Sequence, residues 1–158
     1  FWCHFMYGTG DQYDELGTEA YDTLIEPELA DFVSHSFEDL CNAALRTLYP
    51  EYTITDTGHW WYGEHEIDVV GLTAGETLLV GECKFQQSPL DYDALSNLER
   101  HADELRWTPQ NGSDRTVEHA LFSRSGFKQS VEEAASERDD LHLFTVTDVV
   151  NAHTDSEA

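Results

Sequence analysis

Three charged residues interrupt two otherwise apolar stretches of the sequence. Asp68 stands between Ile67 and Val69, and Glu82 and Lys84 stand in residues 81–85. A charged side chain in a buried strand is costly unless it is paired or binds a metal, so each of the three requires a reason. Because residues two apart on a strand share a face, Glu82 and Lys84 point the same way. The pattern indicates a polar site built on strands.

The two stretches are predicted to pair as a β-hairpin. Residues 64–72 and 77–85 are rich in β-branched and apolar side chains, with a turn signal between them. If the loop is residues 74–76, with its glycine or a bulge supplying a positive φ, Asp68 lies opposite Glu82. Their Cβ atoms are then about 5 Å apart, and each carboxylate disfavours charge on the other until a cation arrives.

A divalent cation would resolve that repulsion. A hard ion with oxygen ligands, Mg²⁺ or Mn²⁺, suits two carboxylates and activates a water for attack on a phosphodiester. Lys84, one of only two lysines in the chain, would orient the nucleophile or stabilise charge on the phosphorane. A site that only holds a cation has no use for this ammonium group. The alternative interpretation is that Asp68, Glu82 and Lys84 form a buried structural ion pair.

The elements around the hairpin follow from apolar periodicity and turn residues. Both odd and even positions of the hairpin are apolar, which is typical of a sheet buried on both faces. We expect an α/β fold with a mixed sheet and helices on both faces. The predicted elements are a helix over 29–48 stopped by Pro50, a helix over 91–106, a strand over 117–123, a helix over 129–138, a strand over 141–146 and a fraying tail after Asn151.

The charge of the chain argues against a nucleic-acid partner at first. With 32 acidic residues against eight Lys and Arg, the net charge is −24, and nucleic-acid affinity rests mainly on basic residues neutralising phosphates. The acidic residues are spread over the whole chain, however, as in proteins of halophilic archaea, where molar salt reduces the Debye length to about 3 Å. We therefore interpret the acidity as a sign of a high-salt habitat and not as a sign of the binding partner.

Compartment and chain ends give further expectations. Three widely spaced cysteines without a C-x-x-C pair suit reduced thiols, and neither a signal peptide nor a membrane span is visible, so we expect a cytoplasmic protein. Because the sequence begins with Phe1 and not with Met, we expect a preceding segment. The sequence leaves the oligomeric state open.

The order of these residues resembles a nuclease superfamily. A helix carrying Glu38, then Asp68, then Glu82-Cys83-Lys84 is similar to the PD-(D/E)XK, or restriction endonuclease-like, superfamily, whose core is α-β-β-β-α-β. An isoleucine stands where that pattern has a proline before the Asp. The resemblance implies a Mg²⁺- or Mn²⁺-dependent endo- or exodeoxyribonuclease acting on DNA. It implies catalytic roles for Asp68, Glu82, Lys84 and Glu38, and a metal held by Asp68, Glu82, Glu38 and the backbone carbonyl of Cys83.

A closer resemblance covers almost the whole chain. The sequence looks like the uncharacterised C-terminal domain that follows many archaeal AAA-type ATPase domains. This implies an upstream P-loop ATPase, with a winged-helix segment, as a partner in a longer chain. The alternative function is a non-catalytic module that regulates or oligomerises the ATPase, with Glu38 a plain flank residue of its helix. The matching features are the Phe-Trp start, Phe37-Glu38, Trp60-Trp61, residues 66–68 and residues 81–84.

The domain organisation expected from this resemblance has three parts. Residues 1–29 form an aromatic and acidic lead-in from the upstream region, residues 30–150 form the nuclease-like domain, and residues 151–158 form a polar tail. The aromatic run 60–62 could stack on bases, as in single-strand binders, but the burial preference of aromatic residues favours packing in the core or at a domain interface.

Overall fold

The computed structural model describes Glu19 and residues 26–156 of the chain. The chain divides into two compact units, Phe1–Ser36 and Phe37–Ala158, and the fold below is that of the second unit. The elements are α1 (Glu26–Leu48), β1 (Ile54–Tyr62), β2 (His65–Thr73), β3 (Thr77–Lys84), α2 (Tyr92–Glu104), β4 (Thr116–Ser123), α3 (Gln129–Glu137), β5 (Leu141–Thr145) and α4 (Val146–Ser156).

The five strands form one mixed sheet in the order β1-β2-β3-β4-β5. The first three strands are an antiparallel meander, and β3, β4 and β5 run parallel to one another. Parallel neighbours need a crossover, which α2 and α3 supply. The expected mixed α/β architecture and its α-β-β-β-α-β order are confirmed.

Both faces of the sheet are covered, as the apolar pattern of the hairpin predicts. One buried cluster joins the α1 and α4 side of the sheet, and its members include Phe37, Cys41, Leu45, Val69, Leu79, Phe122 and Ala152. The second cluster joins the α2 and α3 side, and its members include Ile67, Val70, Leu78, Val80, Leu95, Leu98 and Val131. Within the described residues, no helix is long and apolar enough to cross a membrane.

Three local features differ from the sequence-based expectations. The residue pattern did not locate strand β1, because its Gly58 and polar residues interrupt the alternation of apolar side chains. The tail expected to fray after Asn151 continues α4 to Ser156, since Val149 and Ala152 are buried against the sheet. The hairpin loop has no positive φ at Gly75.

A threonine side chain closes that loop instead of a left-handed glycine. The Thr73 hydroxyl donates to the carbonyl of Thr77 at 2.7 Å and accepts from the Gly75 amide at 3.2 Å. These bonds turn the chain through ordinary backbone conformations. The three-residue length predicted for the loop, residues 74–76, is confirmed by the pairing of Leu72 with Leu78.

Gly81 gives a stability prediction. A Cβ at Gly81 would lie 2.9 Å from a ring carbon of Phe122 and 3.1 Å from the Val69 Cβ, whereas a Cβ at Gly58 would meet nothing within 4 Å. We expect Gly81→Ala to lower the free energy of unfolding by about 1–3 kcal/mol through overpacking. Denaturant unfolding in molar KCl measures the change, with Gly58→Ala as the control. Equal unfolding midpoints for the two variants would contradict the expectation.

Candidate active site

The candidate site begins where the β2–β3 ladder ends. The ladder runs from Leu72↔Leu78 to Val69↔Gly81, the register that the sequence predicted, and no pair is formed beyond it. The next residue of β2 is Asp68, whose Oδ2 accepts the backbone N–H of Cys83 at 2.8 Å. At the point where the strands separate, the Asp68 carboxylate thus takes the place of the backbone carbonyl that would otherwise accept this hydrogen bond.

A β-bulge sets the direction of Asp68. Between the pairs Gly58↔Val70 and Trp60↔Ile67, two residues of β2 oppose one residue of β1. The alternation of β2 therefore resets: Val69 packs in the cluster beneath α1, and Ile67 packs in the cluster on the opposite face. Bulges re-aim side chains in this way beside active sites.

Asn42 connects Glu38 to Asp68 through the backbone. The buried Asn42 side chain donates from Nδ2 to the Asp68 carbonyl at 2.9 Å and to the Glu38 carbonyl at 3.2 Å. The helical turn that carries Glu38 is therefore fixed against the strand that carries Asp68. Sequence reasoning did not find Asn42, although an amide on the apolar stripe of α1, four residues after Glu38, is a detectable signal.

The surroundings of Asp68 disfavour its charge. Burial and, next, the negative charge of Glu82 raise the pKa of Asp68 to about 7, although the N–H of Cys83 lowers it. The charge of Glu38 raises the pKa further and that of Lys84 lowers it, with smaller effects. Asp68, Glu82 and Glu38 are thus close enough for their charges to interact.

Glu82 and Lys84 form an ion pair at the solvent boundary. The Lys84 Nζ lies 2.5 Å from the Glu82 Oε1, and the side chains are 40% and 13% exposed, respectively. Burial lowers the pKa of Lys84, but the charge and hydrogen bond of Glu82 outweigh it and raise the pKa overall. The site is therefore accessible from solvent on the lysine side.

Cys83 contributes its backbone to the site and its thiol to the core. Burial, followed by the hydrogen bond and charge of Cys41, raises the pKa of the Cys83 thiol well above its ordinary value. Since the N–H and C=O of a strand residue point to the same side, the Cys83 carbonyl faces the same gap as the N–H that Asp68 accepts. Asp68 and the backbone of Cys83 thus meet at this gap, with Glu82 next to Cys83 on β3.

The donor set suits Mg²⁺ in its chemistry. In the part of the chain that the structure describes, no three His, Cys, Asp or Glu side chains are already arranged around a common metal position. Mg²⁺ retains several waters and is usually bound through one or two carboxylates, so Asp68, Glu82 and a backbone carbonyl fit its needs. A divalent ion would also relieve the repulsion that raises the pKa of Asp68.

Comparison with known proteins identifies a family and a fold. Residues 2–101 match the family DUF234, described as "Archaea bacterial proteins of unknown function". No curated protein sequence matches the chain.

Two solved structures are similar. A repair endonuclease from Pyrococcus abyssi has a TM-score of 0.49 and 17% identity, over 70% of this chain and 45% of its own. The restriction endonuclease MspJI, solved with a 27-mer oligonucleotide, has a TM-score of 0.50 and 14% identity, over 85% of this chain and 31% of its own. This chain therefore spans less than half the length of either protein. The expected endonuclease-like fold is confirmed.

The raised pKa of Asp68 predicts a pH dependence of stability. Because the folded pKa of about 7 exceeds the ordinary value of 3.8, the stability from Asp68 is complete below pH 3.8 and is lost as the pH rises through 7. We expect Asp68→Asn to be more stable than the wild type at about pH 8, by up to a few kcal/mol, and similar to it near pH 4. Denaturant unfolding at both pH values checks this, with the exposed Asp56→Asn as the control. The expectation fails if the difference between Asp68→Asn and wild type does not change with pH.

Proposed function

We propose that this chain, which belongs to the DUF234 family of proteins of unknown function, is a divalent-metal-dependent nuclease domain that hydrolyses phosphodiester bonds of DNA. The observation that carries the proposal is the meeting of Asp68, Glu82 and Lys84 where the β2–β3 ladder ends. The endonuclease-like fold supports it, and so does the oligonucleotide bound to MspJI.

Each residue has a distinct role in this proposal. Asp68, Glu82, Glu38 and the Cys83 carbonyl would hold Mg²⁺ or Mn²⁺, which supplies Lewis acidity and a water of lowered pKa when bound. The Cys83 N–H holds one oxygen of Asp68 and leaves the other for the ion. Lys84 exchanges its contact with Glu82 for the attacking water or for a phosphate oxygen, where its charge offsets the negative charge of the transition state.

The electrostatics favour this role over a structural ion pair. The Glu82–Lys84 contact alone would suit a structural pair. Asp68 does not, because its environment makes the ionised carboxylate unfavourable near neutral pH. A group held at such a cost and open to a cation is characteristic of a functional site.

The wider context is also part of the proposal. We infer that residues 30–150 act as the nuclease-like domain of a longer archaeal protein from a halophile, preceded by an ATPase domain. The even spread of acidic residues supports the halophilic origin. The lead-in expected over residues 1–29 lies, apart from Glu19 and residues 26–29, outside the described residues.

A nuclease assay tests the catalytic roles. In molar KCl with Mg²⁺ or Mn²⁺, we expect wild type to cleave DNA and Asp68→Asn, Glu82→Gln and Lys84→Met to lose at least about 100-fold in rate, since each removes a ligand or a charge used in the transition state. Lys128→Met is the matched control, because Lys128 pairs with Asp91 on the surface. Equal rates in all variants, or no cleavage by wild type of single-stranded, duplex and nicked DNA, would refute the proposal.

Metal binding gives a prediction independent of cleavage. At a concentration about 100 times its dissociation constant, Mg²⁺ should stabilise the folded wild type by about 2.7 kcal/mol. Asp68→Asn and Glu82→Gln should lose most of this gain, while Asp56→Asn should keep it. Thermal unfolding with and without Mg²⁺, at constant ionic strength, measures the effect. Identical gains in wild type and Glu82→Gln would exclude metal binding at this site.

A further inference from the structure

The end of the β1–β2 hairpin presents aromatic side chains to solvent. Trp61 and Tyr62 are 75% and 71% exposed, so neither packs in the core of this domain, while the alternative of packing at a domain interface stays a prediction. Trp60 is partly buried and packs against the cluster on the α2 side. The turn that follows contains Gly63 with φ of +61°, which permits a tight reversal directly after the aromatic residues. Two large aromatic faces are therefore left uncovered on a closely turned hairpin.

A cavity connects these aromatic residues to an arginine. It has a volume of about 520 Å³ and is lined by Trp60, Trp61, Tyr62, Glu104 and Arg106. A second, more apolar cavity of about 270 Å³ lies along β1 and shares Trp60 and Arg106 with the first. We call Trp60, Trp61, Tyr62 and Arg106 the aromatic hairpin face.

Arg106 is one of the unpaired cations of this acidic protein. In the described part of the chain it is exposed and makes no hydrogen bond or ion pair, although the chain has 32 acidic residues. Several other cations are engaged: Lys84 pairs with Glu82, Lys128 with Asp91, and Arg138 with Glu99 and Asp140. An unpaired guanidinium beside aromatic faces suits a ligand that combines an anion with a planar ring.

The aromatic hairpin face lies at the same end of the sheet as the candidate active site. Trp61 pairs with Glu66, two residues before Asp68 on the same strand, which is a distance of about 7 Å along the strand. The β2–β3 ladder has already ended there, so the hairpin extends past the gap that contains Asp68 and Glu82. The aromatic hairpin face and Asp68 are therefore carried by the same end of the β1–β2 pair.

We propose that the aromatic hairpin face binds unpaired bases, so that the substrate of the proposed nuclease is single-stranded DNA or a single-stranded end. The inference rests on the proposed function and adds the substrate class. With a net charge of −24, phosphate neutralisation cannot supply much affinity. Stacking on aromatic rings does not require a positive surface, tolerates any sequence and strengthens binding roughly fivefold or more per base.

A binding assay without divalent metal tests this inference separately from catalysis. In molar KCl with EDTA, fluorescence anisotropy compares labelled oligothymidine of about 15 nucleotides with a blunt duplex of the same length. We expect wild type to prefer the single strand, and Trp61→Ala/Tyr62→Ala to lose roughly 30-fold in affinity for it, equivalent to two stacked bases. Trp61→Phe/Tyr62→Phe should retain most of the affinity, because the ring faces remain.

Charge variants give effects of opposite sign. Arg106→Gln should weaken oligothymidine binding and reduce its salt slope by about 0.7, the value for one phosphate contact on a single strand. Glu104→Gln should strengthen binding, because Glu104 lines the same cavity. Tyr92→Ala is the control, since Tyr92 is an exposed aromatic residue at the start of α2.

The outcomes separate this inference from the proposed function. Equal oligothymidine affinities for wild type and Trp61→Ala/Tyr62→Ala, or a preference for duplex, would overturn the inference while leaving the cleavage assay unaffected. Loss of self-association in that double variant, without DNA binding by wild type, would assign the face to a contact between copies and also overturn it. Stacking-dependent binding by a protein that cleaves no DNA would uphold the binding face and reject the nuclease.

Discussion

The organisation of this domain depends on one hydrogen bond, in which the Asp68 carboxylate accepts the Cys83 N–H. It stands where the β2–β3 ladder would otherwise continue, so it holds the strands in register while allowing them to separate. The resulting gap admits Glu82 from one strand and Asp68 from the other. The bulge opposite β1 and the Asn42 bridge to α1 both support this arrangement from outside the gap. The same hydrogen bond therefore ends the backbone pairing of β2 with β3 and fixes the position of the Asp68 carboxylate.

The sequence predicted the parts of this arrangement that follow from the alternation of side chains along strands and from the spacing of apolar residues along helices. Asp68 and Glu82 were placed opposite each other because side chains alternate along strands, and α1 was bounded by its apolar stripe and Pro50. Periodicity could not show the bulge, because it arises from an imbalance between β1 and β2 that neither strand reveals alone. Strand β1 itself was missed since its exposed edge position removes the need for a regular apolar face. The role of Asn42 could not be predicted, because it depends on which strand lies beside α1.

The acidity of the chain leaves few cations, and several of these make specific polar contacts. Two arginines connect secondary-structure elements. Arg138 joins α2 to the start of β5 through Glu99 and Asp140. Arg115 donates to the last carbonyls of α2. Such contacts are short-ranged and little affected by salt that screens the general repulsion. Because a protein of this composition has few cations, the position of each one is a stronger indication of a structural or functional role than it is in a protein of balanced charge.

The antiparallel meander has a consequence for how the domain folds. Asp68 and Glu82 lie on β2 and β3, which a short loop joins, so the contact between these two residues is close in sequence. Pairing of β3 with β4 instead joins residues such as Thr77 and Thr116, which are 39 positions apart and separated by a helix. Local contacts form faster than distant ones because less chain entropy is lost. We therefore expect Asp68 and Glu82 to be brought together before β4 covers the other edge of β3, so that their repulsion is met early in folding.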